Sequence, residues 1–317
     1  MLGNDNPLVS VIVPAYNHQN YVQETLKSII NQTYQNIELI VIDDGSKDAT
    51  WQKICELKNV CENRFNRVYF ATKENEGTCK TFNKLISLTK GDYIYIIASD
   101  DVAKPQAIEK LLQAIEPVDA VLAVGNNEFI DAAGKRIGWD KKQNSVPLTK
   151  AKYKTFAEQL KISAKKDSFG TYRELLKRNH IPNGYLIKAA ALRKIRFTPE
   201  APLEDYFMNL QLAKIGKFVF VDEILLSYRW HAANTIKQTA KMLAFQMQTL
   251  RYEEKLTAAL PDKKWNTIFK DEKYKTKNIF SLGNFLKYYK TKDLSKKQKI
   301  LEIFGKKIVL KSKTFQY

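Results

Sequence analysis

Two carboxylates stand side by side at Asp100-Asp101, directly after the apolar run DYIYIIA (92–98) and Ser99. Adjacent carboxylates at the end of a buried strand can hold a hard divalent cation, because Mg²⁺ and Mn²⁺ take oxygen ligands and often keep phosphate oxygens in their shell. The same dipeptide also suits a turn into a helix N-cap, with Lys104-Pro105 opening the next segment. Asp43-Asp44-Gly45-Ser46, after IELIVI (37–42), poses the same choice, since Asp-Gly is ordinary turn chemistry. Glu204-Asp205 begins EDYFMNLQLAKIG, where acids in a first helical turn complement the dipole. His231 is one of three histidines, with His18 and His180; beside Trp230 it is either a packing residue or a ligand for phosphate or metal.

The elements around these residues determine whether they can meet. LVSVIV (8–13) is a β-branched run that reads as a buried strand ending at Pro14, and YVQETLKSIINQ carries apolar residues at helical spacing. IELIVI is a second strand, with a helix from about 47 to 58. RVYFA (67–71), a helix over 78–89, DYIYIIA, a helix over 105–116 and DAVLAVG (119–125) continue the alternation. Strands alternating with helices at this spacing predict an open, mostly parallel α/β sheet with helices on both faces, and such sheets bind ligands beyond the carboxyl ends of their strands. The acidic clusters at 43–44 and 100–101 fall at that edge. Carboxylates converging there repel, so positive groups are expected among them. Residues 126–180, polar and punctuated by Gly134, Gly138, Pro147 and Gly170, read as a mobile excursion or lid. KFVFV (217–221) and ILLSYRW (224–230) read as a closing pair of strands.

The chain has 317 residues, enough for one large α/β domain with an appendage or for two modest domains, and its 44% hydrophobic content is that of a globular protein. It contains no uncharged apolar stretch long enough to span a bilayer, and MLGNDNPLVS lacks the basic and apolar regions of a leader, so neither export nor spanning is expected. Cys55, Cys61 and Cys79 are odd in number and lack metal-ligand spacing, which fits a reducing cytoplasm. Net charge is +18, yet residues 237–317 alone hold 20 Lys/Arg against 7 Asp/Glu. The basicity belongs to that tail, and charge by itself does not choose among nucleic acid, an anionic membrane and an acidic partner.

In order and spacing, VSVIVPAYN (9–17), IELIVIDDGSKDAT (37–50), NEGTCKTFN (75–83) and GDYIYIIASDD (91–101) closely resemble the successive motifs of family 2 glycosyltransferases of the GT-A fold. LEDYFMNLQLAKIG (203–216) and YRWHAAN (228–234) are similar to that family's acceptor-side acidic motif and closing histidine motif. The resemblance covers about residues 7–236. It implies a Rossmann-like GT-A catalytic domain over 1–236, with a nucleotide-sugar half to about 125 and an acceptor half over 126–236. It implies an inverting, metal-dependent hexosyl transfer from a nucleotide sugar, a UDP-sugar above all, to a saccharide or lipid-linked glycan. By position, Pro14, Ala15, Tyr16, Asp43 and Asp44 contact the donor nucleoside, Asp100 faces the ribose or sugar, and Asp101 reaches Mn²⁺ or Mg²⁺. Asp205 is the general base with Glu204 supporting it, and His231 completes the metal shell or touches the diphosphate. Two departures stand out: the third motif lacks the family's arginine, for which Lys80 is the candidate substitute, and the metal motif reads SDD.

The chemistry accounts for these residue types. A divalent ion stabilises charge building on a diphosphate leaving group, and a carboxylate can take the proton of the attacking hydroxyl. The tail over 237–317 reads as basic amphipathic helices, either capping the catalytic domain or docking on an anionic membrane surface at the cytoplasmic face. The alternatives are a nucleotidyltransferase, which calls for a glycine-rich basic loop that VPAYNHQN does not supply, and a nonspecific nucleic-acid-binding protein using the tail.

Overall fold

The computed structural model describes residues 6–163, 167–234, 237, 239–282, 286–292, 296–303 and 306–314. Its chain forms two compact units, one of residues 1–171, 180–199 and 208–234, the other of 172–179, 200–207 and 235–317. The expected division between 236 and 237 falls beside residues outside those described, and two short internal segments join the C-terminal unit.

The first half runs β1 (Val9–Ala15), α1 (Val22–Ile30), β2 (Ile37–Asp43), α2 (Thr50–Cys55), α3 (Lys58–Arg64), β3 (Arg67–Thr72), α4 (Thr78–Leu88), β4 (Tyr93–Ile96), β5 (Val102–Ala103), α5 (Ala107–Ile115) and β6 (Leu122–Asp131). It continues through β7 (Arg136–Trp139), β8 (Ser145–Pro147), α6 (Phe156–Leu160), α7 (Tyr172–Lys177), β9 (Tyr185–Lys188), α8 (Ala189–Leu192), α9 (Glu204–Ile215) and β10 (Phe218–Trp230). In the first unit the strand order is β3-β2-β1-β4-β9-β6-β10-β5. β3, β2, β1 and β4 are mutually parallel, as are β6 and β10, while β9 enters antiparallel between β4 and β6. This is the mostly parallel α/β sheet expected. Its central strands β1 and β2 are buried on both faces, which is why they are mostly apolar, and their buried polar residues Ser10 and Glu38 satisfy each other at 2.6 Å.

Two expectations are corrected in this unit. Residues 126–163 are an antiparallel extension rather than a loose excursion: β6 runs on to Asp131, β7 folds back on it and β8 on β7. Trp139 anchors the extension, its ring 4.7 Å from Trp230 and 5.4 Å from Phe129. The two strands expected over 217–230 are one, β10, with a register irregularity at Val221 to Leu226 beside the exposed Asp222 and Glu223.

The second unit holds α7, the first turn of α9, α10 (Thr239–Ala259), α11 (Lys264–Lys273) and a four-stranded antiparallel sheet of β11 (Lys275–Leu282), β12 (Leu286–Lys292), β13 (Lys296–Ile303) and β14 (Lys306–Thr314). Its helices share a polar seam. Tyr172 donates to the fully buried Glu253 at 2.6 Å, Tyr206 donates to the Leu175 carbonyl at 2.9 Å, and Arg173 pairs with buried Glu272 at 2.7 Å. The helical expectation for 237–317 is therefore corrected over 275–314. Lysines recur there at every second residue (275 and 277, 290 and 292, 297 and 299, 311 and 313), the period of a strand, in segments of 7 to 9 residues.

Candidate functional site

The carboxyl ends of β1, β2 and β4 and the far end of β10 bring the singled-out residues of the first unit together. β1 and β2 run in register, with Ala15 beside Asp43. Beyond them the two loops are stitched together: Asn17 donates its N–H to Ser46 Oγ at 2.8 Å, Lys47 donates to Asn17 Oδ1 at 2.8 Å, and His18 donates its N–H to Thr50 Oγ1 at 2.7 Å. Asn17 takes a left-handed conformation (φ 54°), which asparagine tolerates.

Asp43 and Asp44 are both buried and already occupied. Asp43 accepts from the Ser46 hydroxyl, from the Ser46 N–H at 3.2 Å and from Thr72 Oγ1 at 2.9 Å. Asp44 accepts from Lys73 Nζ and from the N–H groups of Glu76 and Gly77 at 3.1 and 3.0 Å, so it holds the loop that leads into α4. Burial alone would raise the Asp44 pKa; the bonds from Lys73 and the Glu76 N–H outweigh it and hold the carboxylate below its ordinary range. Pro14 and Ala15 line the same edge from β1, and Tyr16 is 44% exposed there, the arrangement a stacking side chain needs. Lys80 lies on α4, is mostly exposed, and pairs with Glu76 at 3.1 Å one turn away.

The turn after β4 carries the densest chemistry. Asp100, 8% exposed, receives His231 Nε2 at 2.9 Å on Oδ2, and His18 Nε2 stands 3.8 Å from the same oxygen. One ligand atom from each of His18, Asp100 and His231 lies within 4.8 Å of the others; among the described residues this is the group whose geometry could hold a metal ion. His18 Nδ1 is hydrogen-bonded to Ser99 Oγ at 2.8 Å, which leaves Nε2 as the nitrogen facing the site. Burial lowers the His18 pKa and His231 lowers it further, while Asp100 and Asp48 oppose them, so the ring is held below the ordinary histidine range and keeps a lone pair at neutral pH. One carboxylate and two imidazoles suit a first-row divalent ion such as Mn²⁺ better than Mg²⁺, which prefers an all-oxygen shell.

Asp101, the residue expected at the metal, is placed differently. It is 1% exposed, and its Oδ1 accepts the Arg229 backbone N–H at 2.9 Å. Its Oδ2 is buried without a hydrogen-bond partner. Burial, then repulsion from Asp100, raise its pKa well above the ordinary value against the weaker pull of Arg229 and Asn183. What converges with His231 is Asp100, not Asp101, because backbone pairing to β10 turns the second carboxylate inward.

Sequence reasoning left His18 unassigned and passed over Arg229. The Arg229 side chain is 1% exposed; it donates from Nε to the Asp100 carbonyl at 2.8 Å, from Nη1 to the Asp131 carbonyl at 3.3 Å and from Nη2 to Glu24 Oε2 at 2.5 Å. Tyr21 lies between this cation and the site, 5.0 Å from the guanidinium and 4.8 Å from the His231 ring. The signal that could have found Arg229 is its spacing, two residues before His231 at the end of a strand, where a cation is needed to offset two adjacent aspartates. Positive groups among the carboxylates, expected on repulsion alone, are thus Lys73 and Arg229.

Glu204 and Asp205 belong to the second unit, at the start of α9, and are half-buried. Asp205 Oδ2 accepts from Asn179 Nδ2 at 2.9 Å and Oδ1 from the Tyr206 N–H at 2.6 Å. Burial and then the charge of Asp205 push Glu204 up to about 7, and burial raises Asp205 as well. Such a pair can exchange protons near neutrality.

Comparison with known proteins agrees with the fold and the motifs. The family described as Glycosyl transferase family 2 matches residues 10–178. An uncharacterized glycosyltransferase of Haemophilus influenzae is 31% identical over 235 residues, covering 72% of this chain and 67% of its own. One from Rickettsia felis is 29% identical over 236 residues, and glycosyltransferase GlyG of Streptococcus pneumoniae is 42% identical over 120 residues. These matches cover 73% and 38% of this chain, and span only 36% and 38% of those relatives' lengths. Among solved structures, S. aureus TarS 1-349 in complex with UDP superposes with a TM-score of 0.55 at 17% identity, over 83% of this chain and 70% of that one. A mannosyltransferase of Pyrobaculum calidifontis in complex with GDP-Man and Mn²⁺ gives 0.61 at 13% identity, over 85% and 70%. With the family matched over more than half of this chain and a relative 31% identical over 72% of it, the chain belongs to glycosyltransferase family 2, a family of transferases.

Proposed function

We propose that this chain is an inverting, metal-dependent glycosyltransferase that moves a hexosyl unit from a nucleotide sugar, a UDP-sugar above all, onto a saccharide or a lipid-linked glycan. The observation that carries the proposal is the convergence of His18, Asp100 and His231 beyond the sheet edge in a family 2 chain. These three side chains would hold Mn²⁺, and a bound divalent ion stabilises the negative charge that builds on a diphosphate leaving group. Asp101, anchored to β10, keeps the turn in place. Pro14, Ala15 and Tyr16 take the nucleoside, with Tyr16 against the base. Asp43 and Asp44 fix the loops that form the pocket wall, and Lys80 supplies a mobile cation near the diphosphate.

Asp205 accepts the proton of the acceptor hydroxyl and Glu204 supports it. Their raised pKa values favour proton uptake at neutral pH. Direct displacement by that hydroxyl inverts the anomeric carbon. That solved neighbours were captured with UDP, UDP-GlcNAc or GDP-Man with Mn²⁺ supports a nucleotide-sugar donor. No helix among the described residues is long and apolar enough to cross a membrane, so a lipid-linked acceptor would be met by docking of residues 237–317 on an anionic membrane surface at the cytoplasmic face.

The test is a donor panel scored for nucleoside diphosphate release with Mn²⁺, with Mg²⁺ and with chelator. Release from one donor that needs Mn²⁺ and stops in Asp205→Asn supports the proposal; equal release in chelator, or near-normal turnover by Asp205→Asn, overturns the metal or the base assignment respectively.

A further inference from the structure

The excess of positive charge near the C-terminus is ordered by backbone register. In the second sheet Lys275 pairs with Lys292, Lys292 with Lys297 and Lys297 with Lys313. Two residues along, Lys277 pairs with Lys290, Lys290 with Lys299 and Lys299 with Lys311. Residues two apart on a strand share a face, so all eight positions fall on one face in two adjacent rows of four. With strands about 4.8 Å apart and a rise of about 3.4 Å per residue, they fit a patch of roughly 14 by 7 Å. Like charges directly opposite one another weaken a sheet, so sheet stability alone gives no reason for such rows.

The two faces differ in kind. Beyond the lysines, past the irregularities in β11 and β14, the same face carries the rows Phe280, Tyr288, Leu301, Ile308 and Leu282, Leu286, Ile303, Lys306. The opposite face has the uncharged rows Thr276, Thr291, Gln298, Ser312 and Asn278, Tyr289, Ile300, Val309, then Ser281, Lys287, Glu302, Lys307. Glu302, the one acid in these four strands, therefore stands between two lysines on the opposite face. That face thus carries three lysines, 287, 296 and 307, against one acid, whereas the lysine face carries nine with none. On β14, at the edge of the sheet, Lys311 is exposed, and the neighbouring Leu310 is 54% exposed.

We propose that the lysine face is a docking surface for an anionic phospholipid bilayer, with the two lysine rows over the headgroups and the adjoining aliphatic rows toward the acyl boundary. Charge complementarity requires an anionic occupant, and three features select a membrane. Every cation from 275 to 314 is a lysine, a point charge suited to a diffuse anionic surface; a planar phosphate or carboxylate site favours arginine. Leucine and isoleucine rows gain from an apolar phase, which nucleic acid does not offer. A second copy would present the same charge. The inference deepens the docking role given above to residues 237–317 and is independent of the transfer chemistry.

The test uses the full chain and two triple variants that remove equal charge: Lys277→Gln, Lys290→Gln, Lys299→Gln on the lysine face, and Lys287→Gln, Lys296→Gln, Lys307→Gln on the other. Binding is read on vesicles of phosphatidylcholine with and without about a third phosphatidylglycerol. At about fivefold per lysine, the lysine-face triple should lose on the order of 10²-fold in partitioning to anionic vesicles, and the other triple only a few-fold. The lysine-face triple should also melt no lower than the parent, since it relieves repulsion. Equal losses by the two triples would overturn the face assignment. No preference of the parent for anionic vesicles would overturn membrane docking altogether, and loss of single-stranded oligonucleotide binding in its place would identify nucleic acid as the partner. Donor turnover with a soluble acceptor should be unchanged in both triples, which separates failure here from failure of the transferase reading.

Discussion

Arg229→Met tests whether one buried cation holds the metal turn in shape. Methionine keeps much of the side-chain volume and removes every donor, so the Asp100 carbonyl loses its partner, while the Asp131 carbonyl keeps the Gly134 N–H at 3.0 Å. A buried acceptor left unsatisfied costs about 1–3 kcal/mol. Glu24 is half exposed on the opposite side of the ion pair and rehydrates, so it adds little. Taking about 2 kcal/mol, with roughly 2–4 °C per kcal/mol for a unit of this size, the melting temperature should fall by about 4–8 °C. Release of the Asp100 carbonyl should also lower Mn²⁺ affinity about 10- to 100-fold, the range for removing a partner that orients a ligand. Thermal unfolding by circular dichroism and a Mn²⁺ titration followed by electron paramagnetic resonance read the two effects. Glu24→Gln is the control and should change melting by no more than about 2 °C. If Arg229→Met melts with the parent and binds Mn²⁺ equally well, the tether is unimportant; if Glu24→Gln is as damaging, the ion pair rather than the carbonyl contacts holds the turn.

Three further outcomes are expected. His18→Gln should weaken Mn²⁺ binding at least about tenfold while the fold persists, read by the same titration; unchanged affinity would remove His18 from the ligand set. Because Glu204 is raised to about 7, kcat/KM should climb as pH rises through that value. The carboxyl is neutral in the folded chain but ionised in the unfolded one between about 4.5 and 7, so folding stability should decline across that window and Glu204→Gln should make the decline shallower in pH-dependent melts, leaving the share that Asp101 and Asp205 contribute. Gly45→Ala should destabilise by about 2–4 kcal/mol in a denaturant titration, since Gly45 has φ +70° and an added Cβ would stand 2.6 Å from the Asn75 nitrogen and 2.9 Å from the Lys73 carbonyl oxygen; a change under about 1 kcal/mol would show that the turn adapts.

The sheet of the first unit was legible because β1 and β2 are buried on both faces and read as β-branched apolar runs, each broken once, by Ser10 and Glu38, which hydrogen-bond to each other at 2.6 Å. β11 to β14 were not: in KKQKILEI, lysines and aliphatics satisfy a helical face and a strand face alike, and the pairing that decides between them lies in neighbouring strands. The site was half legible. Asp43, Asp44 and Asp100 declare themselves by following buried strands. His18 does not, because its partners Ser99 and Asp100 come from a distant strand end, joined to it only by the parallel pairing of β1 with β4. Asp100 and Asp101 could not be told apart by type or position. Their roles separate only through the Arg229 N–H, a bond between residues 128 positions apart.

The saturation of Asp43 and Asp44 bears on attempts to alter nucleotide preference. Every oxygen of these two side chains already serves the chain's own loops, so under the donor site proposed above discrimination among bases would fall to main-chain groups and to Tyr16, which unlike the two aspartates is substantially open to solvent. Libraries aimed at a new donor therefore have room at position 16, whereas randomising the aspartates would mostly sample misfolded loops.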